Sequence, residues 1–134
     1  MSCLRPAFAV ACLALAACTG VAAHGDSGRS EPMIADGTDF GMRPGDTVTL
    51  ADRSTLRYLR LVNDSRCPPD VQCIWAGNAE IAFAWHDAAG ARATFSLHTT
   101  VGDKQHRLGT RMLTLRSLAR GDAPQAQLHI DIAP

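Results

Sequence analysis

EIAFAWHD at residues 80–87 and ARATFSLHT at 91–99, joined by Ala88, Ala89 and Gly90, decide the fold. Apolar and polar residues alternate with a period of two on both sides of the join, the pattern of strands with one buried face. A three-residue connection pairs Asp87 with Ala91. Counting outward sets Trp85 opposite Ala93, Phe83 opposite Phe95 and Ile81 opposite Leu97, all six on one face. The other face then holds His86 opposite Arg92, Ala84 opposite Thr94, Ala82 opposite Ser96 and Glu80 opposite His98. A slip of one residue would mix the two sets, so the alternation specifies this register. Gly90 supplies the left-handed conformation that such a loop commonly needs.

The same period extends to both sides of the hairpin. DTVTLA at 46–51, fed by Arg43, Pro44 and Gly45, reads as a turn followed by a strand. TLRYLRLVN at 55–63 is another, and its phase changes near Tyr58 and Leu59. Leu56 and Tyr58 share one face and Leu59 and Leu61 the other, which a bulge or burial on both faces would explain. Further strands are expected at 111–118, with Leu113 and Leu115 inward, and at 127–132, with Leu128, Ile130 and Ile132 inward and His129 and Asp131 outward. Beyond the first eighteen residues no stretch carries a sustained helical stripe. The expected fold is all-β, a small antiparallel sandwich or barrel of about six to seven strands, with one short-loop disulfide. At 134 residues the chain has room for one such domain, and 46% hydrophobic against 19% charged residues excludes disorder throughout. Thirteen basic residues balance thirteen acidic ones, which removes the basic footprint of a nucleic-acid binder.

The first eighteen residues differ from the rest. Arg5 precedes an uncharged apolar run at 7–17, the layout of an export signal and too short to span a bilayer. Leu15, Ala16, Ala17 and Cys18 close that run and resemble the lipobox of bacterial lipoproteins. The resemblance implies cleavage before Cys18, lipidation of that cysteine and attachment to a membrane through the lipid. Two or more acyl chains are needed for stable anchoring. An aspartate after the lipidated cysteine commonly favours retention at the inner membrane in Gram-negative lipoproteins. Thr19 stands here, so the resemblance points to the cell envelope and to its outer membrane rather than the inner one. Residues 18–38 lack periodicity and are rich in Gly, Ser, Asp and Ala, as in a flexible tether. His24, Asp26 and Glu31 within it are read as solvated linker rather than as metal ligands. The expected organisation is a signal over 1–17, lipidated cysteine and tether over 18–38 and the β domain over 39–134.

This arrangement disposes of Cys3, Cys12 and Cys18 and leaves Cys67 and Cys73, an even pair in an oxidising compartment. They lie in NDSRCPPDVQCIWAGN, residues 63–78. Redox catalysis would favour Cys-x-x-Cys, and a five-residue spacer is not that of a zinc knuckle, so a structural disulfide is the expected state. Trp75 is expected to pack over the sulfurs or the sheet end, and Gly77 to let the chain turn back into the hairpin. Asp64 and Arg66 are read as a local pair or turn cap. The pattern Asp64, Ser65, Arg66, Cys67, Pro68, then Cys73, Trp75 and Gly77, resembles that of a family of uncharacterised exported bacterial proteins and lipoproteins. The similarity runs from about Thr47 to the C-terminus and includes Leu97, His98 and Thr99. It implies a fold and a compartment, and no activity.

For chemistry, the chain has no Gly-x-Ser-x-Gly, no His-Glu-x-x-His and no phosphate-cradling glycine loop. No cofactor and no catalytic activity are expected. The leading reading is a non-catalytic envelope protein that binds another protein or a surface component, with Asp64, Arg66 and Trp75 in the contact loop. The alternative is a metal- or small-ligand-binding lipoprotein that uses the face with Glu80, His86 and His98, provided His129 or Asp131 of the last strand lies alongside. The stretch from Asp103 to Arg107, flanked by Gly102 and Gly109, is expected to be an exposed connection.

Overall fold

A computed structural model describes residues 32–134. The lipobox, the export signal and residues 18–31 lie outside the described residues. Nine strands are present among those described: β1 (Met33–Ile34), β2 (Thr38–Met42), β3 (Thr47–Leu50), β4 (Thr55–Asp64), β5 (Ala79–His86), β6 (Arg92–His98), β7 (Gln105–Leu108), β8 (Arg111–Leu118) and β9 (Ala126–Ile132). They form a five-stranded sheet in the order β1-β3-β4-β5-β6 and a four-stranded sheet in the order β2-β9-β8-β7. All neighbours are antiparallel except β1 and β3, which run parallel.

The β5–β6 hairpin has the register that alternation requires, from Glu80 opposite His98 to His86 opposite Arg92. Its loop closes with the Asp87 amide donating to the Ala91 carbonyl, and Gly90 takes φ +99°. In β4 the pairing with β5 slips between Tyr58 and Arg60, so Leu59 is the extra residue of a bulge. The bulge resets the phase: Leu56 faces Trp85, Tyr58 faces Phe83, and after the slip Leu61 faces Ile81. All three thus reach the same core, which the bare alternation denied.

That core lies between the sheets. Val48, Leu50, Leu56, Tyr58, Ile81, Phe83 and Leu97 on one side meet Met42, Leu113, Leu115, Leu128 and Ile130 on the other. An aromatic row crosses it, with Tyr58 and Phe83 ring centroids 5.1 Å apart and Phe83 and Phe95 5.6 Å apart. His106 ends the row, stacked on Phe95 at 3.8 Å and bridging to the second sheet. Burial, opposed by the Asp103 charge, pushes the His106 imidazole below its usual value.

Four expectations change. The domain begins before residue 39, because β1 pairs with β3 and Asp36 holds the Arg111 guanidinium through two bonds of 2.6 and 2.9 Å. The strands β1, β2 and β7 were not expected. The supposed connection at Asp103–Arg107 contributes three residues to β7, paired with β8. Ile132 stands opposite Arg111 at the end of the sheet and is 65% exposed rather than inward, beyond the cover of the facing sheet.

Arg111 also pairs with Asp52 in the β3–β4 turn at 2.8 Å. One guanidinium thus ties a turn of the first sheet to the β1–β2 connection. Burial pushes the Asp52 carboxyl up, but bonds from the Ser54 hydroxyl and amide and the Arg111 charge outweigh it and hold it below its usual value.

Candidate functional site

Residues 63–78 leave β4 and return into β5, and their base is a knot of backbone bonds. The Ser65 amide donates to the Asn78 carbonyl at 2.8 Å and the Cys67 amide to the Ala76 carbonyl at 3.0 Å. The Ser65 hydroxyl bonds the Asn78 carbonyl and accepts from the Asn78 amide. Gly77 sits in this narrow base at φ +71°, a left-handed conformation that favours glycine. A side chain there would collide with the Ser65 carbonyl.

Asp64 and Arg66 do pair locally. The carboxylate accepts the Arg66 amide at 3.1 Å and the guanidinium through both oxygens. The Arg66 hydrogen bond holds the Asp64 carboxyl below its usual value. The same guanidinium reaches further, donating to the carbonyls of Leu118 at 2.7 Å and Ala119 at 2.8 Å at the end of β8. Arg120 returns the link by donating to the Cys67 carbonyl. These charge-assisted bonds fasten the loop of one sheet to the second sheet, a role well beyond a surface ion pair.

Asn78 was missed by sequence reasoning. Its side-chain oxygen accepts the amides of Thr100 at 3.0 Å and Val101 at 3.1 Å, and its amide nitrogen meets His98 Nδ1 at 3.0 Å. Thr99 completes the contact by accepting the Ala79 amide. An Asn directly after a turn glycine is a signal for such backbone capping.

Above the base, Cys67 and Cys73 are disulfide-bonded, their Cα atoms 5.8 Å apart. Trp75 is not buried over the sulfurs or the sheet end. It is 60% exposed, beside a fully exposed Ile74 and a Val71 that is 55% exposed. The rung between Cys67 and Ala76 returns the chain to the base just after Trp75, and the ring stays exposed outside that base. Asp64 and Arg66, expected in the contact, are spent on holding the loop, while Val71 and Ile74 join Trp75 among its exposed apolar side chains. Their signal in the sequence is two apolar residues outside any alternation in a proline- and aspartate-containing loop.

No family model, curated protein or solved structure matches the chain significantly. What the site can do therefore has to follow from its geometry.

The alternative face divides. Glu80 and His98 are cross-strand neighbours, but His86 is six residues along β5 from Glu80. At strand rise that is about 20 Å. His129 does not lie alongside, since β9 belongs to the other sheet, where His129 Nδ1 bonds Asp39 at 2.7 Å. Among the described residues no three His, Cys, Asp or Glu side chains are grouped to hold a metal.

Closing so short a loop with a disulfide stabilises by about 2 kcal/mol on the chain-entropy argument. Urea unfolding of the Cys67→Ser/Cys73→Ser double variant should show a loss of that order. Equal midpoints for variant and parent would contradict a stabilising disulfide.

Proposed function

We propose that the protein is a non-catalytic envelope lipoprotein, anchored through Cys18, that binds another protein with the tip of the Cys67–Gly77 loop. The supporting observation is the exposure of Val71, Ile74 and Trp75 together on a loop held by a disulfide, by Arg66 and by Arg120. Tryptophan is favoured as a binding anchor because it buries much apolar surface with few rotors to order. A loop already fixed in shape loses less entropy on association than a mobile one. The lipobox supports lipid attachment, and Thr19 supports the outer membrane over the inner one.

The test is crosslinking in intact cells followed by identification of co-purifying proteins, with a mislocalised Cys18→Ala control. A near-stoichiometric partner is expected. Trp75→Ala combined with Ile74→Ala should remove it while leaving the urea midpoint near that of the parent. A partner retained at full yield by the folded double variant would show that the tip is not the contact.

A further inference from the structure

The outer face of the five-stranded sheet holds a feature that the loop does not use. The registers lay its side chains out as a lattice: Thr47 beside Arg57, Ala84 and Thr94 in one row, and Thr49 beside Thr55, His86 and Arg92 in the next. Ala84 offers only a methyl group between taller neighbours. Over it Thr47, Thr55, Arg57 and His86 rim a hollow of about 170 Å³. The hollow is open to solvent on one side and has room for a small tetrahedral anion.

Two guanidinium groups stand by the hollow, Arg57 at its rim and Arg92 beside His86. Arg57, His86 and Arg92 form no ion pair with a carboxylate among the described residues. The acids nearest in sequence to the lattice are committed to backbone donors, Asp46 to the Arg43 amide and Asp87 to the Ala91 amide. Glu80 lies three rows from His86, opposite His98. His86 stands directly opposite Arg92, and Thr49 and Thr55 complete that row, so it carries no acid. A chain with as many acids as bases could have placed a carboxylate there.

The geometry points to an oxyanion-binding site in this hollow, with donor chemistry and size suited to a phosphate group. The Arg57 guanidinium supplies a planar fork that matches two phosphate oxygens. The hydroxyls of Thr47 and Thr55 and a ring N–H of His86 supply further donors, and Arg92 adds positive charge at the rim. Guanidinium carries donors and no acceptor, so the site selects an anion over a metal ion. The phosphate could be free or carried on a phospholipid headgroup, and the two sources are separable.

The experiment titrates inorganic phosphate into the ¹⁵N-labelled full-length chain, kept free of lipid by Cys18→Ala, with chloride at matched ionic strength as control. Saturable amide shifts confined to Thr47, Thr55, Arg57, Ala84 and His86 are expected. Arg57→Gln should weaken binding at least tenfold, and Arg116→Gln, on the other sheet, should leave it unchanged. A second arm measures co-sedimentation with phosphatidylglycerol and with phosphatidylcholine vesicles. Binding to the former that is lost in Arg57→Gln, without saturable phosphate shifts, assigns the phosphate to a lipid headgroup. Neither saturable phosphate shifts nor vesicle binding that depends on Arg57 would overturn the site, as would equal losses in Arg57→Gln and Arg116→Gln. The outcome is independent of Trp75 and hence of the loop reading.

Discussion

Gly77→Ala should destabilise the domain by about 3–5 kcal/mol and lower its melting temperature by about 15 °C or more. Two costs add. The backbone at φ +71° disfavours any side chain by roughly 1–2 kcal/mol. The new methyl would also overlap the Ser65 carbonyl oxygen and lie 2.6 Å from its carbon and 2.7 Å from Arg66 Cα. Relief requires the base of the loop to open, and with it the rungs from Ser65 to Asn78 and from Cys67 to Ala76. Gly90→Ala separates the costs, because Gly90 has φ +99° but nothing within 4 Å of its missing side chain. It should lose only the conformational part. Equal unfolding midpoints for the two variants would refute the close approach at Gly77.

Arg66→Ala should cost about 2–3 kcal/mol, the scale of charge-assisted hydrogen bonds lost with their partners left in place. The Leu118 and Ala119 carbonyls lose their donor, and the Asp64 carboxylate loses its counter-charge. The effect depends on pH in a definite direction. Arg66 holds the Asp64 carboxyl below its usual value, so the pair's stabilisation is full above the unfolded-state value of about 3.9. It is lost as pH falls through the lower folded-state value. Urea midpoints of the parent should therefore fall from pH 6 towards pH 3 more steeply than those of Arg66→Ala. Parallel curves would remove the Asp64–Arg66 pair from the stability of the fold.

The reach of Arg66 also shows where sequence reading stops. The hairpin register was legible because each of seven paired positions carries the right polarity and Gly90 fixes the loop. The bulge at Leu59 was legible as a change of phase. Arg66 was legible only as a neighbour of Asp64, since its other acceptors lie 52 and 53 residues away and are backbone atoms that carry no side-chain signal. Strand β1 has two residues, and β2 is interrupted by Gly41, too little for a period to be read. Trp75 was misplaced because its size argued for burial, whereas the rung at Ala76 fixes it outside. The hollow over Ala84 was implicit in the alternation. The hairpin register alone sets His86 opposite Arg92, and Thr47 and Arg57 join them once β3 and β4 are paired.

The division of labour within residues 63–78 has a practical corollary for protein engineering. The two stems and the disulfide hold the loop, with one further backbone bond inside it from the Val71 amide to the Pro68 carbonyl, while no described residue bonds the side chains of Pro69, Asp70, Gln72 or Ile74. Foreign sequence spliced between Pro68 and Cys73 should leave the rest of the domain folded. The domain is thus a compact display frame, able to present short grafted epitopes in a constrained shape.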